Sequence, residues 1–189
     1  MIPKIIHYCW FGHGPKPELI QRCMASWKKY LPEYKLKEWN EEDFDVNCIP
    51  YVKEAYKQRR WAFVSDYVRL YALYHDGGIY MDTDEEVLNP IDRFLSLAAF
   101  SGYQNAEQCL TGEGGEWVKD LMDDYIGRSF YRPNGEINET TNVECTTYLM
   151  RKKKGMKIDG NLEEALGYVT FFPAEYFCPQ LLRLKYKFE

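Results

Sequence analysis

The chain has 189 residues, 46% of them hydrophobic and 16% aromatic, with 16 Tyr and 5 Trp and a formal net charge of −5. That length suits a single domain with a sizeable core. The acidic balance argues against a nucleic-acid partner, and no apolar run reaches the length of a membrane span. Six cysteines without a C-x-x-C pair disfavour a zinc site and suit free thiols in a reducing compartment.

Residues 4–11, Lys-Ile-Ile-His-Tyr-Cys-Trp-Phe, read as a buried first strand, closed by the loop Gly12-His13-Gly14-Pro15. His7 inside that strand reads as a core histidine, and His13 and His75 as surface groups. Pro17 to Tyr30 has helical spacing, with Leu19, Ile20, Cys23, Met24 and Trp27 on one side. Lys35 to Trp39 is a second strand, followed by the acidic loop Asn40-Glu41-Glu42-Asp43. Strand, helix and strand at this spacing make a βαβ unit. Residues 49–60 form a polar helix, and Ala62 to Asp76 a stronger one with Phe63, Tyr67, Leu70, Tyr71 and Tyr74 as its apolar stripe.

Gly77-Gly78 then stops the helix and a short strand ends in Asp82-Thr83-Asp84. Strand alternation would put Ile79, Met81 and Thr83 on one face and Tyr80, Asp82 and Asp84 on the other. Two carboxylates at the end of a buried strand need compensation, and hard oxygen ligands favour Mg or Mn. Glu85 and Glu86 read as exposed turn carboxylates or as acids behind the metal ligands. Further on, Ile91 to Leu97 is a short helix, Ala98 to Tyr103 a strand, and Glu116 to Ile126 and Asn142 to Lys154 are helices. A flexible loop is expected from Arg132 to Glu139, a solvated basic helix end at Arg151 to Lys154, and a late strand from Tyr168 to Phe172, stopped by Pro173.

Asp66 and Arg69, at i, i+3 on the helix before the Asp-x-Asp strand, would alone pass for a surface ion pair. Together, Ala62-Phe63-x-Ser65-Asp66-x-x-Arg69-x-x-x-Leu73-x-x-x-Gly77-Gly78-x-Tyr80-x-Asp82-x-Asp84 resembles the signature of the Asp-x-Asp sugar transferases. That group includes Och1-like mannosyltransferases and capsular polysaccharide transferases, and more distantly the catalytic domains of glucosylating toxins. The opening Ile2-Pro3-Lys4-Ile5-Ile6-His7-Tyr8-Cys9-Trp10-Phe11-Gly12 and Leu36-x-x-Trp39-Asn40 match as well.

The resemblance implies one glycosyltransferase domain over residues 1–189 with a type A fold: an α/β, Rossmann-like, mainly parallel sheet with helices on both faces. It implies a retaining hexosyltransferase that uses Mn or Mg and a nucleoside-diphosphate sugar, UDP-linked rather than GDP-linked. The acceptor would be a saccharide or lipid-linked saccharide in surface or capsular polysaccharide synthesis. The setting would be cytoplasmic, at the inner face of the membrane, with at most peripheral contact. Trp10 would stack on the base. Ser65 and Tyr80 would line the donor pocket, and Asp66 and Arg69 would hold the sugar hydroxyls. Asp82 would contact the ribose or the metal shell, and Asp84 would ligate the metal.

A cation across the two phosphates stabilises the departing diphosphate, an aspartate–arginine pair suits vicinal hydroxyls, and an indole face suits a base. The resemblance also implies a closing segment with a histidine and a Ser-x-Trp pair. Here no histidine follows His75 and no tryptophan follows Trp117. Either the domain lacks that segment or another serves; the expectation is that residues after Pro179 are poorly ordered or packed away from the cleft, leaving the metal site open to solvent. The sequence admits two rivals. A haloacid-dehalogenase phosphatase would want Thr where Glu86 stands. A non-catalytic sugar-nucleotide or glycan-binding module is the alternative that the aromatic content supports.

Overall fold

The computed structural model describes residues 1–105, 108–109, 116–155, 164–165 and 169–177. Its first half is a three-stranded parallel sheet in the order β2-β1-β3, built from β1 (Ile5–Cys9), β2 (Lys35–Trp39) and β3 (Ile79–Tyr80). The register runs from Ile5 opposite Lys35 to Cys9 opposite Trp39, and on the other side His7 lies opposite Tyr80. Parallel pairing requires crossovers. The first is α1 (Glu18–Tyr30); the second is the pair α2 (Pro50–Lys57) and α3 (Trp61–Asp76).

Alternation along β1 explains how both faces are covered. Ile6 and Tyr8 join Trp27 of α1, with Ile79 and Met81, in one buried cluster. Cys9 joins Tyr67, Val68 and Leu70 of α3, with Tyr80, in the other. The helices therefore lie on opposite faces of the sheet, as the α/β reading requires. Trp27 is fully buried, and truncation of such a side chain costs about 3–5 kcal/mol. His7 is a core histidine: its Nε2 lies 2.9 Å from the Gly77 carbonyl, and Trp39 Nε1 donates to its Nδ1 at 3.0 Å. Burial lowers its pKa, which keeps the ring neutral.

Because β1 pairs with β2 on one side and β3 on the other, the chain reverses direction between the two crossovers. In open parallel sheets, the crevice at the carboxyl ends of the strands beside such a reversal is where ligands bind. Here that crevice lies between the residues after Cys9 and those after Tyr80.

The second half follows a 3-10 turn (Asp92–Phe94), which takes the place of the expected helix over 91–97. Strands β4 (Phe100–Asn105), β5 (Gln108–Cys109), β6 (Glu164–Ala165) and β7 (Thr170–Phe172) form a sheet in the order β5-β4-β7-β6. Its centre, β4 with β7, is parallel, and its two edges are antiparallel. Phe94, Phe100 and Phe172 pack into the same cluster as Ile6 and Ile79, so the two sheets share a core. Helices α4 (Glu116–Ile126), α5 (Asn142–Lys154) and α6 (Ala174–Phe177) complete the described chain. Helix α5 opens on a Thr141–Glu144 capping box and ends on a left-handed Gly155. The expectation for residues after Pro179 lies outside the described residues.

The Gly77-Gly78 stop is needed twice over. Both residues have positive φ, +65° and +83°. A Cβ on Gly78 would stand 2.7 Å from the Ile5 carbonyl oxygen and 3.1 Å from His7 Nε2. Gly78→Ala should therefore destabilise the fold by roughly 2 kcal/mol or more, from left-handed strain plus a backbone clash at the β1–β3 seam. Urea denaturation checks this; a loss within a few tenths of a kcal/mol would show that the seam yields.

Candidate active site

Helix α3 presents Ser65, Asp66 and Arg69 within one turn, facing the end of β3. The Arg69 guanidinium makes a two-pronged contact with Asp82: Nη1 donates to Oδ2 at 3.3 Å and Nη2 to Oδ1 at 3.0 Å. Nη2 also lies 3.3 Å from Asp66 Oδ1, and Nε donates to the Ser65 carbonyl at 3.4 Å. The Tyr80 ring lies under the guanidinium, 4.5 Å from centroid to Cζ, and its hydroxyl donates to Asp82 Oδ1 at 3.3 Å. The Cys9 thiol lies beside the Tyr80 hydroxyl and Ser65. The helix pair Asp66–Arg69 is thus also a cross-link to Asp82, and Ser65, Asp66, Arg69, Tyr80 and Asp82 form one cluster.

Asp84 is placed differently from the strand expectation. β3 ends at Tyr80, and Asp82-Thr83-Asp84-Glu85 is a turn in which Glu85 N–H donates to the Asp82 carbonyl at 3.0 Å. Alternation stops before it reaches the carboxylates. Asp84 is exposed, and among the described residues no ion pair engages it. The turn is pinned from behind by α1: Trp27 Nε1 donates to the Glu85 carbonyl at 2.8 Å, and Val87 N–H donates to Ser26 Oγ at 2.9 Å.

The electrostatics follow from this packing. Burial works against the Arg69 charge, but Asp82, Tyr80 and Asp66 hold the group ionised, well above its usual range. Burial pushes Asp66 up to about 6; Arg69 and Arg128 oppose the rise and Asp82 adds to it. Burial also pushes the Cys9 thiol up to about 12, so it is no nucleophile at neutral pH. Lost hydration and then Asp82 hold Glu85 above the ordinary carboxylate range, though the residue still reaches the surface.

Trp10 sits at the same carboxyl edge but outside the cluster. Its backbone N–H donates to the Trp39 carbonyl at 2.9 Å, adding one rung beyond β1. The indole N–H donates to the Gly14 carbonyl at 2.7 Å, and the Lys16 ammonium lies 5.2 Å from the ring centroid. Sequence reasoning missed what holds this loop. Glu41 accepts from Gly12 N–H at 2.7 Å and from the Tyr56 hydroxyl at 3.1 Å. Trp61, the first residue of α3, lies against Gly12, where a Cβ would come within 2.8 Å of the indole. Glu41 in its acidic loop was the only signal available.

The residues present fit a hard divalent cation. Asp84 is an exposed carboxylate, and the Asp82 side chain is 44% exposed despite its arginine. Among the described residues no group of three or more His, Cys, Asp or Glu side chains is placed to hold a metal ion, so a cation here would rest on Asp82 and Asp84 alone among the carboxylates. Mg-type ions are commonly held by one or two carboxylates completed by substrate phosphates.

Residues 17–101 match the family model described as the glycosyltransferase sugar-binding region containing DXD motif. The matched stretch runs from α1 through the Asp82–Asp84 turn to the start of β4, so it contains Ser65, Asp66, Arg69, Tyr80, Asp82 and Asp84 but not Trp10. No curated protein matches the chain. Among solved structures, the PaToxG glycosyltransferase is similar at 22% identity and a TM-score of 0.40, over 48% of this chain and 45% of that one. The chain thus spans less than half the length of that structure.

Asp66 carries a test of the electrostatics. A folded-state value near 6, against an ordinary 3.8, means that the fold binds this proton more tightly than the unfolded chain does. The ionised form therefore costs stability above about pH 6, on the order of 2–3 kcal/mol, and the cost vanishes below about pH 4. Asp66→Asn should be the more stable protein at about pH 8, with the gap closing between about pH 6 and 4. Thermal unfolding across that range checks it; an equal gap at both ends would mean that Asp66 is not strained by burial.

Proposed function

We propose that the protein is a metal-dependent, retaining glycosyltransferase. It moves a hexosyl group from a nucleoside-diphosphate sugar, UDP-linked in preference to GDP-linked, to a saccharide or lipid-linked saccharide acceptor. The observation that carries this reading is the Arg69 bridge between Asp66 and Asp82 at the crevice beside β1 and β3, with exposed Asp84 on the adjoining turn. The family match of residues 17–101 supports it.

Each residue then has a physical task. Asp66 is a strong acceptor for sugar hydroxyls, held at the pocket by Arg69, and desolvation strengthens each such bond. Arg69 acts mainly as the fixed partner of both aspartates, because most of its donors are already engaged. Tyr80 supplies the floor and Ser65 part of the wall; the Ser65 hydroxyl donates to the Trp61 carbonyl at 3.0 Å. Trp10 would offer an indole face to the base from the neighbouring strand end. Asp84, with Asp82, would hold Mn or Mg, which when bound supplies Lewis-acid stabilisation of the diphosphate leaving group.

Retention is in keeping with the engagement of both inner carboxylates: Asp66 and Asp82 are tied to Arg69 rather than free to activate an acceptor as a general base. Among the described residues no helix is long and apolar enough to cross a membrane. A role in surface or capsular polysaccharide synthesis, with the enzyme at the cytoplasmic face of the membrane, completes the proposal.

The test is calorimetric. Asp84→Asn should weaken Mn-dependent UDP binding by at least tenfold, about 1.4 kcal/mol, while the melting temperature stays put, since an exposed carboxylate contributes little to packing. Unchanged Mn dependence would remove Asp84 from the site. Hydrolysis of UDP-hexoses with Mn would separate a transferase from a glycan-binding module, which would bind without turnover.

A further inference from the structure

The segment after α4 runs back along α3 on the side that carries Asp66. Arg128 faces Asp66. Two residues on, the Phe130 ring packs edge-on against Phe63 at 5.8 Å. Further still, Glu139 accepts from Arg60 Nη2 at 3.4 Å, just before the helix begins. Each contact lies about one turn nearer the helix N-terminus than the last. The segment is anchored as well as aligned, because Phe130 is almost fully buried and also packs on Tyr51 of α2.

Between these contacts the chain forms a bonded hairpin, where the sequence suggested a flexible loop. Tyr131 bridges Ile137, Arg132 N–H donates to the Glu136 carbonyl at 2.8 Å, and Gly135, at φ +84°, returns a bond to the Arg132 carbonyl at 2.9 Å. Between the hairpin and the α2–α3 junction opens a groove of about 580 Å³, lined in part by Gln58, Arg60, Tyr131, Arg132, Glu136 and Glu139.

The lining has a definite chemistry. Two guanidinium groups face two carboxylates, so the formal charges cancel, and the Arg60–Glu139 pair is satisfied internally. Gln58 adds an uncharged donor and acceptor, and Tyr131 an aromatic ring. A nucleotide or lipid diphosphate would call for unpaired positive charge. An uncharged saccharide instead presents alternating donors and acceptors with apolar ring faces, and it needs both kinds of partner and an aromatic surface. The groove is also in register with the cluster: Arg60 to Asp66 is six residues, about 9 Å along the helix at 1.5 Å per residue.

We propose that this groove is the acceptor subsite and takes an uncharged oligosaccharide. The proposal rests on the transferase reading and adds to it the chemical class of the acceptor and its place on the fold.

The full chain would be tested by saturation-transfer NMR against mannotetraose, maltotetraose and chitotetraose, with a hyaluronan tetrasaccharide as the charged comparison. At least one neutral tetrasaccharide should bind, and Arg132→Ala and Tyr131→Ala should each weaken it by tenfold or more. Hydrolysis of UDP-hexoses with Mn should stay within twofold of the starting protein. Tyr131 packs partly against the core, so Gln58→Ala, at an exposed position, guards against a folding defect and should weaken the same ligand. Binding indifferent to Arg132→Ala and Gln58→Ala, or preference for the charged tetrasaccharide, would overturn the proposal. Donor hydrolysis with no neutral tetrasaccharide bound would overturn the acceptor subsite alone. Absence of donor hydrolysis in the starting protein would overturn the transferase reading, and the acceptor role with it.

Discussion

The Arg69 guanidinium, set between Asp66 and Asp82, is the contact on which the site depends. It joins a helix to the turn after a strand, and it does so almost out of reach of water. Removing the arginine from such a cluster commonly costs about 3–5 kcal/mol, because the aspartates left behind keep their desolvation cost without their shared partner. A buried ion pair is weak evidence for stability as such. Its better-attested use is to specify one arrangement among several, and here the arrangement specified is the distance between α3 and the Asp82–Glu85 turn. The Tyr80 ring beneath and the Ser65 carbonyl beside it leave the guanidinium little freedom to swing away.

Two further devices hold the turn from the opposite side. Trp27 and Ser26 of α1 bond to Glu85 and Val87 across the sheet. The turn is therefore gripped between helices on opposite faces, and of its two aspartates Asp84 is the exposed one. One aspartate is committed to shape while the other stays available, a division that a bare Asp-x-Asp does not reveal. An available carboxylate on a fixed turn suits a cation that brings most of its own ligands, because little protein reorganisation is needed on binding.

What the sequence disclosed and what it hid divide along a physical line. Local signals were read correctly. The spacing of Ile20, Cys23 and Trp27 gave α1, Gly77-Gly78 gave the helix stop, and the apolar runs gave β1 and β2. The bounds of α4 and α5 also stood. The face assignment of Asp84 failed because pairing with β1 ends at Tyr80, and beyond the last rung period-two alternation has nothing to enforce it. The polar run Asp82-Thr83-Asp84-Glu85 was itself a turn signal. Asn134-Gly135 likewise announced a tight turn, yet the hairpin was read as flexible because its anchor, Phe130 against Phe63 and Tyr51, joins residues far apart in the chain. The contacts Trp27–Glu85, Gly12–Trp61 and Arg60–Glu139 are hidden for the same reason: each partner is unremarkable until the fold brings the other.

Two of these long-range contacts, Gly12–Trp61 and Arg60–Glu139, converge on the start of α3, which works as a ruler for the region. Its first residue, Trp61, lies against the Gly12 loop at the end of β1. Its second and third turns carry Ser65, Asp66 and Arg69, and its end, through two left-handed glycines, sets the start of β3. Ahead of it, Arg60 reaches Glu139, just past the hairpin. A helix is stiff along its axis, so the spacing between the Gly12 loop, the Asp66–Arg69 pair and the hairpin groove is set by residue count at about 1.5 Å each rather than by loops that could drift. Sites placed on rigid elements keep their geometry better than sites placed on loops. The proposed transferase would have to hold two substrates in line, and an error of about 1 Å in that alignment can cost roughly a hundredfold in rate. Placing the Asp66 pocket and the hairpin groove on one helix limits that error to the bending of the helix itself.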